Sequence, residues 1–407
     1  MSKKNIVFIG DCFYPDVAAT GQLLTDICCN LQQYFNITVL THMNNGDSNM
    51  HKSKYIYEKM QEISIIRVKT KSFNKSNKIS RIRHIIEYYF SCRRAIKKLS
   101  RQDIVFTISQ PPILGGLLGM YTKKIHKCKF IYNIQDFNPE QAEAIKYIKY
   151  KIMINLLKKI DINTCKKADK IIIVGNDMKD TLRKRNILLD DKVSVINNWI
   201  NEKEIYPLFQ NENITEFKRK YDLENKFIIM YSGNIGLYYD IENIVKVIKR
   251  FQDIEDIYMV LVGEGIRKEK IQKWVNENNI KNLKFVPFQP KSELIYSLNA
   301  ADVHLISNCV GIKGVSVPSK IYGIMASGKY VIGILEKDSE AFNLITKSSC
   351  GRCVEPNDYD GLYNLIRGAY EHRDKLKEKG LMGRKHIEQY YNMNISISKY
   401  KEIFEKI

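Results

Sequence analysis

Short apolar runs recur along the chain, and most are followed by a stretch whose apolar positions return at helical spacing. Asn5–Gly10 has the continuous apolar character of a strand buried on both faces, Leu23 to Gln33 reads as a helix, and Ile37–Leu40 as the next strand. Ile104–Ile108, Phe130–Ile134, Ile171–Val174 and Val193–Ile196 continue the series. The pattern restarts after residue 226: Phe227–Tyr231 is a strand, Ile241–Phe251 a helix and Tyr258–Val262 a strand, with Leu283–Val286, Val303–Ile306 and Tyr330–Ile334 to follow. Strands alternating with helices predict parallel sheets covered on both faces. Two such series predict an α/β protein of two doubly wound domains. The stretch Asn197 to Lys226 has little apolar periodicity and sets the boundary, giving domains over 1–197 and 198–394, with 395–407 as a C-terminal segment. Doubly wound sheets bind ligands outside the carboxyl ends of their strands, so the expected site is the cleft between the domains.

Composition narrows the class. A length of 407 residues suits two domains. With 44% apolar and 27% charged residues, the chain is neither disordered nor collagen-like nor mucin-like. Its longest apolar run, counting glycine and proline, is the 11 residues from Pro111 to Tyr121, short of the roughly 18 that cross a bilayer. Met1-Ser2-Lys3-Lys4 leads straight into the first strand without the apolar core of a signal peptide, so a cytoplasmic location is expected. Of nine cysteines only Cys350 and Cys353 form a Cys-x-x-Cys, which without a second pair reads as a turn bearing reduced thiols. No carboxylate or histidine cluster has ligand spacing, so no metal and no cofactor are expected.

Charge is uneven. The chain is net +20, and residues 1–200 hold 34 basic and 17 acidic side chains against 31 and 28 in the remainder. Lys71 to Arg101 contains ten basic residues and one acid, Glu87, and Lys146 to Lys170 eight basic residues and two acids. A one-sided basic surface seeks a polyanion. The first run has helical spacing in Ile79, Ile82, Ile86, Tyr89 and Ile96, with Arg83, Arg94 and Lys98 on another side and Tyr88, Tyr89 and Phe90 adding aromatic bulk. That pattern suits a helix on an anionic membrane surface. The competing reading is a solvated helix in a lysine-rich chain. No nucleic-acid module is recognisable, so nucleic acid is not an expected partner.

Glycines mark the candidate chemistry. Gly10-Asp11-Cys12-Phe13-Tyr14-Pro15 follows the first strand, and Ala19-Thr20-Gly21 opens the next helix. In the second domain Ser232-Gly233-Asn234-Ile235-Gly236 and Val262-Gly263-Glu264-Gly265 follow two consecutive strands. Glycine loops at adjacent strand ends suggest a phosphate or nucleotide cradle, although each alone is often a simple turn. Neither fits the dinucleotide or P-loop pattern. Pro318-Ser319-Lys320 reads as a helix start. A lysine in the first turn opposes the helix dipole, a conflict that a bound anion would relieve.

These segments, with Asn133-Ile134-Gln135-Asp136, Pro139-Glu140, Val195-Ile196-Asn197-Asn198, Ala300-Ala301-Asp302 and Met325-Ala326-Ser327-Gly328-Lys329, occur in the order seen in glycosyltransferase family 4. The chain resembles that family (the group 1 transferases) over essentially its whole length. It looks most like the fucosamine-transferase-like subgroup that builds bacterial surface polysaccharides. The resemblance implies a GT-B fold, two Rossmann-like domains facing across a cleft. It also implies sugar transfer with retention and without a bound metal. The donor would be a nucleotide diphosphate sugar, read as UDP-linked with an N-acetylated deoxysugar in view. The acceptor would be a saccharide or an undecaprenyl-diphosphate-linked sugar at the inner face of the cell membrane. The final helix would cross back to the N-terminal domain.

By the same resemblance the C-terminal domain holds the donor, with Gly233, Asn234, Gly236, Gly263, Glu264, Gly265, Ser319 and Lys320 as candidate contacts. The N-terminal domain holds the acceptor, with Tyr14, Thr20 and Gly21 as candidates. Two glutamates common in the family are replaced here by Val315 and Gly323, and an Arg and a Lys near the diphosphate by Asn234 and Tyr239. The burden falls on Lys320, expected to neutralise the leaving nucleoside diphosphate. Asp136 is expected to orient or deprotonate the acceptor hydroxyl, the alternative being a helix-capping aspartate. Glu140 is a second catalytic candidate. A non-hydrolysing UDP-sugar 2-epimerase shares the architecture and is the rival enzyme; a nucleic-acid-binding protein is the rival of another class.

Overall fold

The computed structural model describes residues 3–16, 18–43, 53–70, 78–148 and 150–407, with the backbone alone for 78–82. The chain forms two compact units, one of residues 1–143, 148–197 and 397–407, the other of 144–147 and 198–396. Residues 144–147, assigned from sequence to the first domain, group with the second.

In the first unit the elements run β1 (Asn5–Ile9), α1 (Ala19–Leu31), β2 (Asn36–His42), β3 (Tyr55–Met60), β4 (Ile63–Val68), α2 (Lys78–Lys98), β5 (Ile104–Ile108), α3 (Leu114–His126), β6 (Lys129–Ile134), α4 (Asn138–Ala144), α5 (Lys151–Lys167), β7 (Lys170–Ile173), α6 (Met178–Lys184) and β8 (Val193–Val195). The sheet order is β3-β4-β2-β1-β5-β6-β7-β8, parallel except for β3 against β4. Every residue of β5 is buried, as a central parallel strand requires. The β3–β4 hairpin escapes a search for apolar runs because β3 is an edge strand whose centre, Tyr57 to Lys59, has polar and exposed positions. The order reverses at β1 and β5, which makes their carboxyl ends the ligand crevice of this unit.

The second unit contains α7 (Glu212–Lys220), β9 (Phe227–Ser232), α8 (Ile241–Lys249), β10 (Ile257–Val262), α9 (Lys268–Glu277), β11 (Leu283–Val286), α10 (Lys291–Ala300), β12 (Val303–Ser307), α11 (Lys320–Ala326), β13 (Tyr330–Ile334), α12 (Glu340–Ser348), β14 (Gly351–Val354), α13 (Tyr359–Glu371) and α14 (Leu376–Tyr390). Its six strands are all parallel in the order β11-β10-β9-β12-β13-β14, reversing at β9 and β12. Alternate residues of β9 feed opposite cores: Ile229 and Tyr231 join α8, α9 and α13, whereas Ile228 and Met230 join Ile214 and Phe217 of α7. That last helix lies within the stretch assigned to the boundary. Gly351 to Cys353, expected to be a turn, form part of β14 beside β13. Both thiols there are free, and burial pushes Cys350 up to about 11 and Cys353 to about 12.

The last helix, α15 (Met393–Lys406), carries residues 397–407 into the first unit. Phe404 sits edge-on to Phe8, Phe35 and Phe106, and Tyr400 accepts a 2.7 Å hydrogen bond from Asn133 Nδ2.

Candidate active site

The second unit brings its donor candidates to the crevice where strand order reverses. Gly233, just after β9, has φ +139°, and Gly263, just after β10, has φ +135°, values that only glycine adopts readily. A Cβ on Gly263 would overlap the carbonyl oxygen of Gly233, and one on Gly265 would overlap that of Ile235. The two loops are therefore packed backbone to backbone, joined by Gly233 N–H to Val262 O at 2.9 Å and Ile235 N–H to Glu264 O at 2.8 Å. Gly263 and Gly265 are thus needed for loop packing. Glu264 points outward and pairs with Lys268 at 2.7 Å. Asn234 is exposed and Gly236 buried.

Lys320 opens α11, with Ser319 exposed at the N-cap position and making no side-chain cap. The lysine stem is half-buried, but its ammonium nitrogen is fully covered and has no hydrogen-bond partner among the described residues. It lies 3.7 Å from the ring centroid of Tyr231 and 4.3 Å from that of Tyr239. A Cβ on Gly233 would come within 3.2 Å of it, so the ammonium faces the Gly233 loop. Burial alone lowers its pKa, from 10.5 to about 7. A buried, unpaired cation costs free energy unless an anion completes it. Val315 and Gly323 are both buried, and Gly323 faces Leu298.

In the first unit the loops after β5 and β6 are knitted around Ser109. Its Oγ accepts from the N–H of Gln135 at 3.1 Å and of Asp136 at 3.3 Å, while its carbonyl accepts from Asn138 Nδ2 at 2.9 Å. Asp136 is half-buried, and its Oδ2 accepts from Gln110 Nε2 at 3.3 Å. It stands at the carboxyl end of the sheet, two residues beyond β6. Glu140 behaves differently. Both its oxygens are bound by Arg185, whose Nη1 reaches Asp161 at 2.7 Å, and Asp161 also accepts from Tyr132. The guanidinium lies 4.4 Å from the ring centroid of Phe137. Glu140 is thus held in place by Arg185, which anchors α4.

Tyr14, Thr20 and Gly21 stand together in the loop after β1 and the start of α1. Tyr14 is exposed, its N–H donating to Thr25 Oγ1 and its carbonyl accepting from Arg67. Thr20 is half-buried. A Cβ on Gly21 would stand 3.0 Å from that of Cys12, so this glycine lets α1 close onto the loop.

On α2, Arg83, Arg94 and Lys98 are exposed. The buried stripe includes Tyr88, Cys92, Ala95 and Ile96, and the stripe read from sequence is exposed at Ile86. Tyr88 is inside, donating to the Gly10 carbonyl, whereas Ile85, Ile86 and Phe90 are exposed. The side chains of Ile79, Arg81 and Ile82 lie outside the described residues. Among the described residues no helix is long and apolar enough to cross a membrane, and no group of three His, Cys, Asp or Glu side chains is arranged to hold a metal ion.

Sequence reasoning did not find Arg185, Ser109, Gln110 or the Tyr231–Tyr239 pair. Each ring had a separate signal, Tyr231 standing two positions before Gly233 and Tyr239 where the family carries a lysine, but nothing joined them.

Comparison with known proteins agrees with this geometry. The family described as Glycosyltransferase Family 4 matches residues 22–204, and that described as Glycosyl transferases group 1 matches 213–386. WbjE of Pseudomonas aeruginosa, which carries a glycosyltransferase name, is 27% identical over 340 residues, 80% of each chain. WcaI of Escherichia coli K12, named for colanic acid biosynthesis, is 28% identical over 204 residues, 50% of this chain and 49% of that one. HepE of Anabaena, solved with UDP and glucose, superposes with a TM-score of 0.75 over 99% of both chains at 12% identity. The chain belongs to the family 4, group 1 glycosyltransferases and has the GT-B fold.

Proposed function

We propose that this enzyme transfers a sugar, with retention, from a UDP-linked donor to a lipid-linked or saccharide acceptor in surface polysaccharide biosynthesis. The observation that carries this reading is the buried, unpartnered ammonium of Lys320 at the Gly233 loop. As the glycosidic bond breaks, negative charge grows on the leaving diphosphate. A preorganised cation in a dry site stabilises that charge more than the ground state. Asp136, at the carboxyl end of β6, orients the acceptor hydroxyl. The names of WcaI and of the UDP-bound HepE support the pathway and the nucleotide. No metal takes part in this reading. The exposed basic residues of α2 bring the enzyme to the anionic inner face of the cell membrane, where a lipid-linked acceptor lies.

The test is incubation with a panel of nucleotide sugars, with and without lipid-diphosphate sugar acceptors, read by mass spectrometry. Acceptor-dependent release of UDP with a lengthened acceptor is expected. Conversion of the nucleotide sugar to its C2 epimer without acceptor would overturn the reading in favour of an epimerase.

A further inference from the structure

Lys320 has two ring faces where a buried lysine ordinarily has a carboxylate. The separations of 3.7 Å and 4.3 Å are well inside the roughly 6 Å within which a cation is drawn to an aromatic face. The rings are themselves anchored. Tyr231 is fully buried and donates its hydroxyl to the Asn234 carbonyl at 2.9 Å. The carbonyl of Tyr239 accepts from Ser307 Oγ at 2.7 Å, and that of Tyr238 from Cys309 N–H at 2.8 Å, which ties this loop to the end of β12. The two centroids are 6.1 Å apart with the planes at 56°, so the rings make a corner around the ammonium.

Burial favours the neutral amine, whereas a ring face attracts only the charged one. A carboxylate would also keep the lysine charged, but it would cancel that charge and compete with an anionic ligand. Ring quadrupoles favour the cation without neutralising it. The groups facing the amine are the phenols of Tyr231, from β9, and Tyr239, from the loop after it; no acid contributes to the shift at Lys320. Tyr231 cannot become a phenolate counter-ion at neutral pH, because burial holds its pKa well above 10.

We propose that Tyr231 and Tyr239 are positioning residues that hold the Lys320 ammonium charged, unneutralised and aimed at the Gly233 loop for the donor diphosphate. This rests on the reading of Lys320 as the cation for that diphosphate and adds the residues that set its charge.

The test is a pH titration of the Lys320 Cε resonance in 13C-lysine-labelled protein, assigned by its loss in Lys320→Met. Tyr239→Phe keeps the ring and should titrate like wild type. Tyr239→Leu should titrate lower by about 0.5–1 pH unit and bind UDP more weakly at pH 7.5 by calorimetry, with Tyr239→Phe unchanged. Trifluorophenylalanine at position 239 keeps the shape while weakening the ring face, so it should also lower the titration, and it serves if the leucine variant does not fold. Coincident titrations for these variants and wild type would overturn the proposal. Unchanged UDP affinity in Lys320→Met would overturn the reading beneath it, while the titration still decides whether the rings hold the charge.

Discussion

Arg185 grips Glu140 with two nitrogens, Nε at 2.9 Å from Oε1 and Nη2 at 2.6 Å from Oε2, across 45 residues of sequence. The guanidinium side chain is 3% exposed and the carboxylate 16%. The contact binds α4 to the end of α6.

Glu140→Ala should therefore act on stability. It strips one of two carboxylates from a buried cation, and breaking such a pair costs about 3 kcal/mol. Urea unfolding should move to lower midpoint, with UDP affinity of the folded variant at the wild-type level. A variant of normal stability that has lost turnover would return Glu140 to the chemistry.

Lys320→Ala should lower turnover by roughly 10²-fold, the scale of removing one preorganised charge-stabilising group. Circular dichroism should stay native-like and the unfolding midpoint should not fall. Near-normal turnover in that folded variant would remove Lys320 from the mechanism.

The same lysine sets a pH dependence whose sign follows from burial. In the folded, ligand-free protein it releases its proton near pH 7, in the unfolded chain near 10.5. Between these values the unfolded state holds the extra proton, so this group makes stability rise with pH. Its cost is fully present below about pH 7 and fades toward 10.5. Lys320→Met should thus be more stable than wild type at pH 6.5, with the gap closing by pH 10. A gap that is constant with pH would contradict the assignment.

Changing Arg83, Arg94 and Lys98 together to glutamate should abolish co-sedimentation with phosphatidylglycerol vesicles at low salt and spare UDP binding. Each basic residue near an anionic surface contributes about 1 kcal/mol, screened by salt. Ile85, Ile86 and Phe90 stand exposed on the same helix to add apolar contact. Wild-type sedimentation by the triple variant would leave the basic first half needing another explanation.

Activity should survive excess EDTA, since Lys320 is given the role that a metal would otherwise fill. Loss of activity restored by a divalent cation would overturn that.

The strands were readable because parallel central strands are apolar on both faces: β1, β5, β9 and β12 announce themselves. The hairpin of β3 and β4 was not, because Glu58 and Lys59 face solvent on an edge. On α2 the periodicity named the helix but did not show which side packs inside: Ile86 is exposed while Cys92 and Ala95 are buried. The site divides in the same way. Lys320 was visible from its place at a helix start. Its ring corner was not, because Tyr231 and Tyr239 meet it only after β9 and α11 have packed. The Arg185 partner of Glu140 was hidden for the same reason, being remote in sequence.

Phe404 packs edge-on against Phe8 and Phe106, so the first strand and α15 share one aromatic cluster although most of the chain lies between them. Removing residues 397–407 would uncover those rings and leave the first unit with an exposed apolar surface of the kind that chaperones and proteases recognise.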